Sequence, residues 1–294
     1  MAELGATDDE ELARQVGKAM GAELRAIGFN VNFAPVLDVL CEETTVAIGD
    51  RSLGADPDRV ARLGTAIIKG LQSAGIIACG KHFPGHGHVA EDSHHELPTC
   101  PVSEALWRSD HLPPFSAAIK AGVRSMMTAH VVYPGLGVHT AATLSSRIMT
   151  DILRNELGFE GVLFSDDLGM GAITKNGSVG EAAVAAVRAG VDGLLVCRNL
   201  ASVTEAVAAL RTTAESDRDF AERCTQSLER LRSAAQRNPS APSPAERLGP
   251  LLGSLSHQTV AARFKQVAVT SDPTLGHDEP AESTTSSGGQ HQET

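Results

Sequence analysis

The stretch Lys81–Pro98, KHFPGHGHVAEDSHHELP, gathers His82, His86, His88, His94 and His95 around Asp92, among glycines and prolines that rule out a regular helix. A second stretch, Gly158–Met170 (GFEGVLFSDDLGM), closes an apolar run with two adjacent aspartates, Asp166 and Asp167. These residue types support a definite chemistry. A carboxylate held at the end of a rigid strand can attack an anomeric carbon, and the resulting glycosyl ester splits one hard displacement into two easier ones. Asp166 has that placement, and Asp167 should point to the opposite side of the strand. The displacement also needs a proton donor for the leaving oxygen. A histidine qualifies, because its unperturbed pKa of about 6.5 lies near working pH. Asp92 and His94 are two residues apart, so the carboxylate can accept from the ring and fix its tautomer.

The same residues have plainer readings. A strand-end aspartate often caps a helix or partners a nearby lysine, and a loop histidine is often solvated. His and Asp are also common zinc ligands, yet HGH and DSHH lack the HExxH spacing of a helix face, so no metal is expected. His86, His88, His95 and His111 read as structural or solvated.

Holding such groups at one mouth requires strands that end there. The apolar pattern alternates between helical and strand periods. Residues 8–27 repeat Leu and Ala at helical spacing, with Thr7 and Glu10 as a capping box. VNFAPVLDV (31–39) reads as a buried strand. Asp56-Pro57 opens a helix to about residue 75, followed by the strand IIACG (76–80). A helix over 103–121 must break or kink at Pro113-Pro114. Then come the strand SMMTAHV (125–131), a helix over 146–157, the strand VLFSD (162–166), a helix over 179–189 and the strand GLLVC (193–197). Helices over 199–214 and 218–235 complete the pattern. Alternation of this kind implies a parallel sheet covered by helices. Asp38, Lys81-His82, His130, Asp166 and Arg198 fall at or just past successive strand ends, as on the active face of a (β/α)8 TIM-type barrel. The barrel is incomplete: about five of its eight βα units are present.

The domain is expected to span residues 1–236. Residues 237–246 (RNPSAPSPAE) read as a linker, 247–270 as a short helix and strand, and 271–294, rich in Ser, Thr, Gly, Pro and Gln, as a disordered tail. Hydrophobic residues make up 42% of the 294, enough for a sizeable core, but aromatics only 3%, so that core rests on Ala, Val, Leu and Ile. The formal charge of −11 argues against a nucleic-acid partner, which would require clustered Lys and Arg. No run of about 18 apolar residues predicts a membrane span. The five cysteines show no CxxC pair and fit a reducing compartment.

KHFPGHG followed by DSH, together with GVLFSDDLGM, resembles glycoside hydrolase family 3 in its β-N-acetylglucosaminidase branch. The similarity extends from about residue 20 to 200 and includes NFAPVLDV, GDRSLGADP, MMTAHVVYPGL and DGLLVCRN. The resemblance implies that Asp166 is the nucleophile, His94 the acid/base and Asp92 its dyad partner. It implies that Lys81, His82 and Arg51 contact the sugar and that His130 lies near the same pocket. The implied activity is release of terminal, non-reducing β-linked N-acetylglucosamine through a covalent glycosyl-aspartate, without a cofactor, by a monomer acting in the cytoplasm during peptidoglycan recycling. The branch carries a D-x-E-G-G-x-V-x-R motif that these 294 residues lack, which matches the missing βα units and suggests an N-terminally truncated barrel. Phosphorolysis is the competing reaction, since a neutral histidine would not repel phosphate as a glutamate does. An inactive, sugar-binding remnant is the competing non-enzymatic reading.

Overall fold

The computed structural model describes residues 1–41, 47–89, 91–240 and 242–265. Among them, five parallel strands form a half-barrel sheet in chain order: β1 (Val31–Asn32), β2 (Ile77–Phe83), β3 (Ser125–Thr128), β4 (Val162–Asp167) and β5 (Gly193–Leu195). The five expected strands are all present, in the expected order.

The first strand is shorter than its apolar run. Pro35 has no N–H, the Ala34–Pro35 bond is cis, and Ala34 N–H turns back to Asn32 O. The segment nevertheless stays on β2: Ala34 and Pro35 accept from Cys79 and Lys81, and Leu37 N–H donates to Lys81 O. It thereby carries Asp38 to the strand ends. Irregularities in β2 between Gly80 and Phe83, and in β4 between Phe164 and Asp167, interrupt the ladder where the chemistry-bearing residues lie.

An unforeseen helix, α1 (Ala2–Thr7), precedes α2 (Glu10–Ala26). The Thr7–Glu10 capping box is not made. Asp9 caps α2 by accepting from Leu12 N–H, while the Thr7 hydroxyl donates to Leu4 O at the end of α1. Helix α3 (Pro57–Ser73) starts as expected, with Asp56 accepting from Asp58 and Arg59 N–H. Helices α2 and α3 touch through glycines: a Cβ on Gly17 would lie 2.4 Å from Ile67 O, and one on Gly70 2.3 Å from Arg14 O.

The helix expected over 103–121 is broken. It runs as α4 (Glu104–Leu106), a wide π-type turn over Trp107–His111, and α5 (Leu112–Lys120), so the prolines fall in the first turn of α5, where missing N–H groups cost least. A π-type helix, Arg147–Glu156, precedes β4, and the short α6 (Gly171–Thr174) follows it. Helix α7 (Val179–Ala189) carries a true capping box, Ser178 with Glu181.

After α8 (Leu200–Ser216), the amphipathic α9 (Arg218–Arg237) turns Leu231 and Ala234 onto Val31, Ile77, Val162 and Phe164. Beneath β5, the buried carboxylate of Asp192 accepts from Arg154, Arg223 and Arg230 and from Leu163 N–H, tying α9 and the π-type helix to the sheet. After α9, Ser243 N–H donates to Ala26 O and Ser240 Oγ to Gly28 O. Two helices follow, α10 (Ala245–Leu251) and α11 (Leu255–Ala262), and α11 docks on α2 through His257–Glu23 (2.6 Å). The strand expected within 247–270 is absent to residue 265. Its remaining part and the tail over 271–294 lie outside the described residues. Among the described residues no helix is long and apolar enough to cross a membrane.

Candidate active site

The end of β2, the loop that follows it and the segment after β1 meet at one buried carboxylate. Asp38 is fully buried and accepts four contacts from two residues: His82 N–H at 3.1 and 3.2 Å, His82 Nδ1 at 2.8 Å and His86 N–H at 2.7 Å. Burial alone would push its pKa up. The charge and ring of His82, with His86, outweigh that and hold it down at about 2. An ionised Asp38 is acceptor-only, so His82 must place its proton on Nδ1, and its Nε2 faces Asp166 with Oδ2 3.9 Å away.

Asp166 is the penultimate residue of β4, with its side chain 24% exposed. Burial pushes its pKa up, but His82, His130, Asp167 N–H and Lys81 together hold it below the usual carboxylate range, so it is ionised at neutral pH. Its Oδ1 accepts from Asp167 N–H at 2.8 Å. Asp167 points away, as expected, and its Oδ1 accepts from Gly169 and Cys197 N–H, fixing the turn after β4. The two aspartates thus divide the work: one faces the mouth, the other builds it.

Lys81, joined to His82 by a cis peptide bond, is half-buried. Its pKa is lowered, first by burial and also by the Arg51 charge, against the opposing pull of Asp166 and Asp38. Arg51, in a 3-10 turn at Gly49–Arg51, donates to Ala47 O. His130 is 1% exposed, and both ring nitrogens are engaged, Nδ1 with Thr143 Oγ1 (2.7 Å) and Nε2 with Asp167 O (3.1 Å). No ring nitrogen of His130 is left for a sugar hydroxyl. It braces the turn that carries Asp166.

The loop after β2 presents the second unit. His94 Nδ1 lies 2.7 Å from Asp92 Oδ1, which also accepts His94 N–H at 2.9 Å. Burial pushes the Asp92 pKa up, but these two bonds hold it down, so Nδ1 carries the proton and Nε2 is left for exchange. The ring is 47% exposed. The only tryptophan and only tyrosine of the chain pin the start of this loop: Trp107 Nε1–H donates to Pro84 O at 2.9 Å, and Tyr133 O–H to Gly85 O.

His86 and His111 are buried, not solvated, and burial lowers the pKa of each to about 4. His86 Nε2 bonds Ser93 Oγ at 3.1 Å, and His88 Nδ1 bonds His111 Nε2 at 2.7 Å. Sequence reasoning placed Asp38 at a strand end but did not see it as the anchor of the site. Its signal was an aspartate inside the apolar run NFAPVLDV. Among the described residues no group of three or more His, Cys, Asp and Glu is arranged to hold a metal ion. A cavity of about 870 Å³ lies at the opposite ends of the strands, between Arg230 and Ala234 of α9 and the starts of β2 and β4 at Ile77 and Val162, and contains none of these groups.

The chain is similar to known proteins over most of its length. The model of the glycosyl hydrolase family 3 N-terminal domain matches residues 1–234. A β-hexosaminidase of Nitrosomonas eutropha is 44% identical over 200 residues, covering 68% of this chain and 57% of that protein. One of Pseudomonas aeruginosa is 43% identical over 203 residues, covering 69% and 60%. The chain thus spans less than two thirds of these curated relatives. Among solved structures, a family 3 β-N-acetylglucosaminidase from a Paenibacillus species superposes with a TM-score of 0.85 at 42% identity, over 89% of this chain and 50% of that one. A β-N-acetylhexosaminidase from Beutenbergia cavernae gives 0.73 at 32%, over 79% and 70%. With its strand-end carboxylates and its matched residues, the chain belongs to glycosyl hydrolase family 3, through the N-terminal domain of that family.

Proposed function

We propose that this chain supplies the catalytic groups of a retaining β-N-acetylhexosaminidase acting on terminal, non-reducing β-linked N-acetylglucosamine. The observation that carries the reading is the pairing of an ionised, strand-end Asp166 with a separate, partly exposed Asp92–His94 dyad. An Asp166 oxygen attacks the anomeric carbon as the glycosidic C–O bond breaks, and the leaving oxygen takes the proton from Nε2 of the protonated His94. In the second half, neutral His94 removes a proton from water. The hydroxide breaks the glycosyl ester and Asp166 returns as a carboxylate. Asp92 partners Nδ1–H throughout, so the proton leaves from and returns to one atom. Lys81, His82 and Arg51 bind sugar hydroxyls, while His130 and Asp38 position. The similarity to a β-hexosaminidase and to a family 3 β-N-acetylglucosaminidase supports the substrate class. We assign the activity to peptidoglycan recycling in the cytoplasm, a reading supported by five scattered cysteines that form no CxxC pair.

Release of p-nitrophenol from p-nitrophenyl β-N-acetylglucosaminide, lost in Asp166→Ala, is the expected result. NMR of the first-formed sugar should show the β anomer. An α anomer would overturn the retaining mechanism, and N-acetylglucosamine 1-phosphate formed in phosphate buffer would overturn hydrolysis.

A further inference from the structure

The Asp92–His94 dyad sits in a loop without regular secondary structure, yet its chemistry depends on a fixed distance from Asp166. Within the loop, His95 and Glu96 N–H both donate to Asp92 O, which shapes a tight turn but does not locate it. Three bonds from outside the turn do. His86 Nε2 bonds Ser93 Oγ at 3.1 Å. Gly171 N–H donates to His94 O at 3.0 Å, and Ala172 N–H to Ser93 O at 3.2 Å.

Each bond satisfies a group that has no better partner. Gly171 and Ala172 open α6, whose cap residue Met170 offers no side-chain bond. First-turn amides have no partner within a helix, and here the loop carbonyls take two of them. His86 Nδ1 is buried without a partner, so the ring is held through Nε2, which meets the Ser93 hydroxyl. His86 is itself held through its N–H by Asp38, the carboxylate that also orients His82 toward Asp166.

Gly171 is required for space. A Cβ there would lie 2.3 Å from His95 O and 2.8 Å from His94 O, both backbone atoms, so any side chain must push the dyad turn outward. Residues 167–171 transmit the position of β4 rigidly, because Asp167 Oδ1 accepts Gly169 N–H and Asp167 O accepts Met170 N–H. The turn bearing the dyad is thus fastened to the strand bearing the nucleophile from one side and to Asp38 from the other.

We propose that His86, Ser93 and Gly171 are positioning residues that fix the acid/base dyad relative to Asp166, an inference that rests on the roles proposed above for Asp166 and His94. Two measurements on the full 294-residue chain test it. Hydrogen exchange of the segment spanning Gly171 and Ala172 should run about five- to tenfold faster in Ser93→Ala and Gly171→Ala than in wild type, the effect of one lost hydrogen bond. In kinetics, both variants should lose about 10- to 100-fold in kcat/KM on alkyl β-N-acetylglucosaminides, which need a proton for the leaving oxygen. On the 2,4-dinitrophenyl glycoside, which leaves without one, they should stay within about threefold. Equal losses on both substrates, or unchanged exchange, would overturn the proposal. If wild type turned over neither substrate, or Asp166→Ala retained turnover, the functional reading would fail, while the exchange data would still decide the docking.

Discussion

Changing Asp38 to asparagine alters one atom of a fully buried group, and the consequences can be followed bond by bond. In the native site one carboxylate serves His82 N–H, His82 Nδ1–H and His86 N–H. An amide has a single oxygen. Set in the place of Oδ1 it keeps His86 N–H and part of His82 N–H, and its NH2 then faces His82 Nδ1. The ring can answer only by moving its proton to Nε2. Charge-assisted bonds worth about 1.5–3 kcal/mol become neutral ones worth about 0.5–1.5, so the variant should lose roughly 2–3 kcal/mol of stability. The change draws a ring proton of His82 to the mouth: Nε2, 3.9 Å from Asp166 Oδ2, must then carry an N–H. That N–H would face the nucleophile and refuse a sugar hydroxyl proton, lowering kcat/KM by about 10- to 100-fold. Urea unfolding measures the first effect and glycoside kinetics the second. Imidazole 15N shifts report the tautomer directly. A variant within about 0.5 kcal/mol of wild type, with Nδ1 still protonated, would refute the anchoring role of Asp38.

Three further outcomes follow from the same geometry. Asp192→Ala should cost about 3–5 kcal/mol, because it strands three arginines and Leu163 N–H around a buried site; a loss below about 1 kcal/mol in urea unfolding would contradict this. His86 and His111 are held neutral down to about 4, against 6.5 in the unfolded chain, so between those values the unfolded state binds protons that the fold refuses. Stability should therefore fall as pH drops from 6.5 towards 4, by about 1.4 kcal/mol per unit for each histidine, with the Asp38 contribution lost only below its ordinary 3.8; an unfolding free energy flat from pH 7 to 5 would exclude it. His94→Ala should abolish turnover of alkyl glycosides but spare substrates with very good leaving groups, and equal loss on both would remove His94 from the acid role.

What the sequence made legible was whatever is local. Asp92 and His94 are two residues apart and bond each other, Asp56-Pro57 caps α3, and the polar residues of β2 and β4 lie at the C-terminal ends of those strands. Where two local signals competed, reading failed: Thr7 and Asp9 are equally good caps, and the choice fell to Asp9 because an unforeseen α1 uses the Thr7 hydroxyl. Long-range pairing left fainter traces. The donors to Asp38 lie 44 and 48 residues away, so its sequence environment shows only an anomaly, a charge in an apolar strand. Such an anomaly is informative, because a buried carboxylate without partners would not persist as an anion. The bonds that dock the dyad leave less still, since two of the three join backbone to backbone and write nothing in side-chain types. Their one trace is Gly171, at a position where φ is ordinary and only the nearness of His94 O and His95 O excludes a Cβ. Turn chemistry therefore gives no reason for a glycine there, and the reason becomes visible only when the acid/base loop is laid against it.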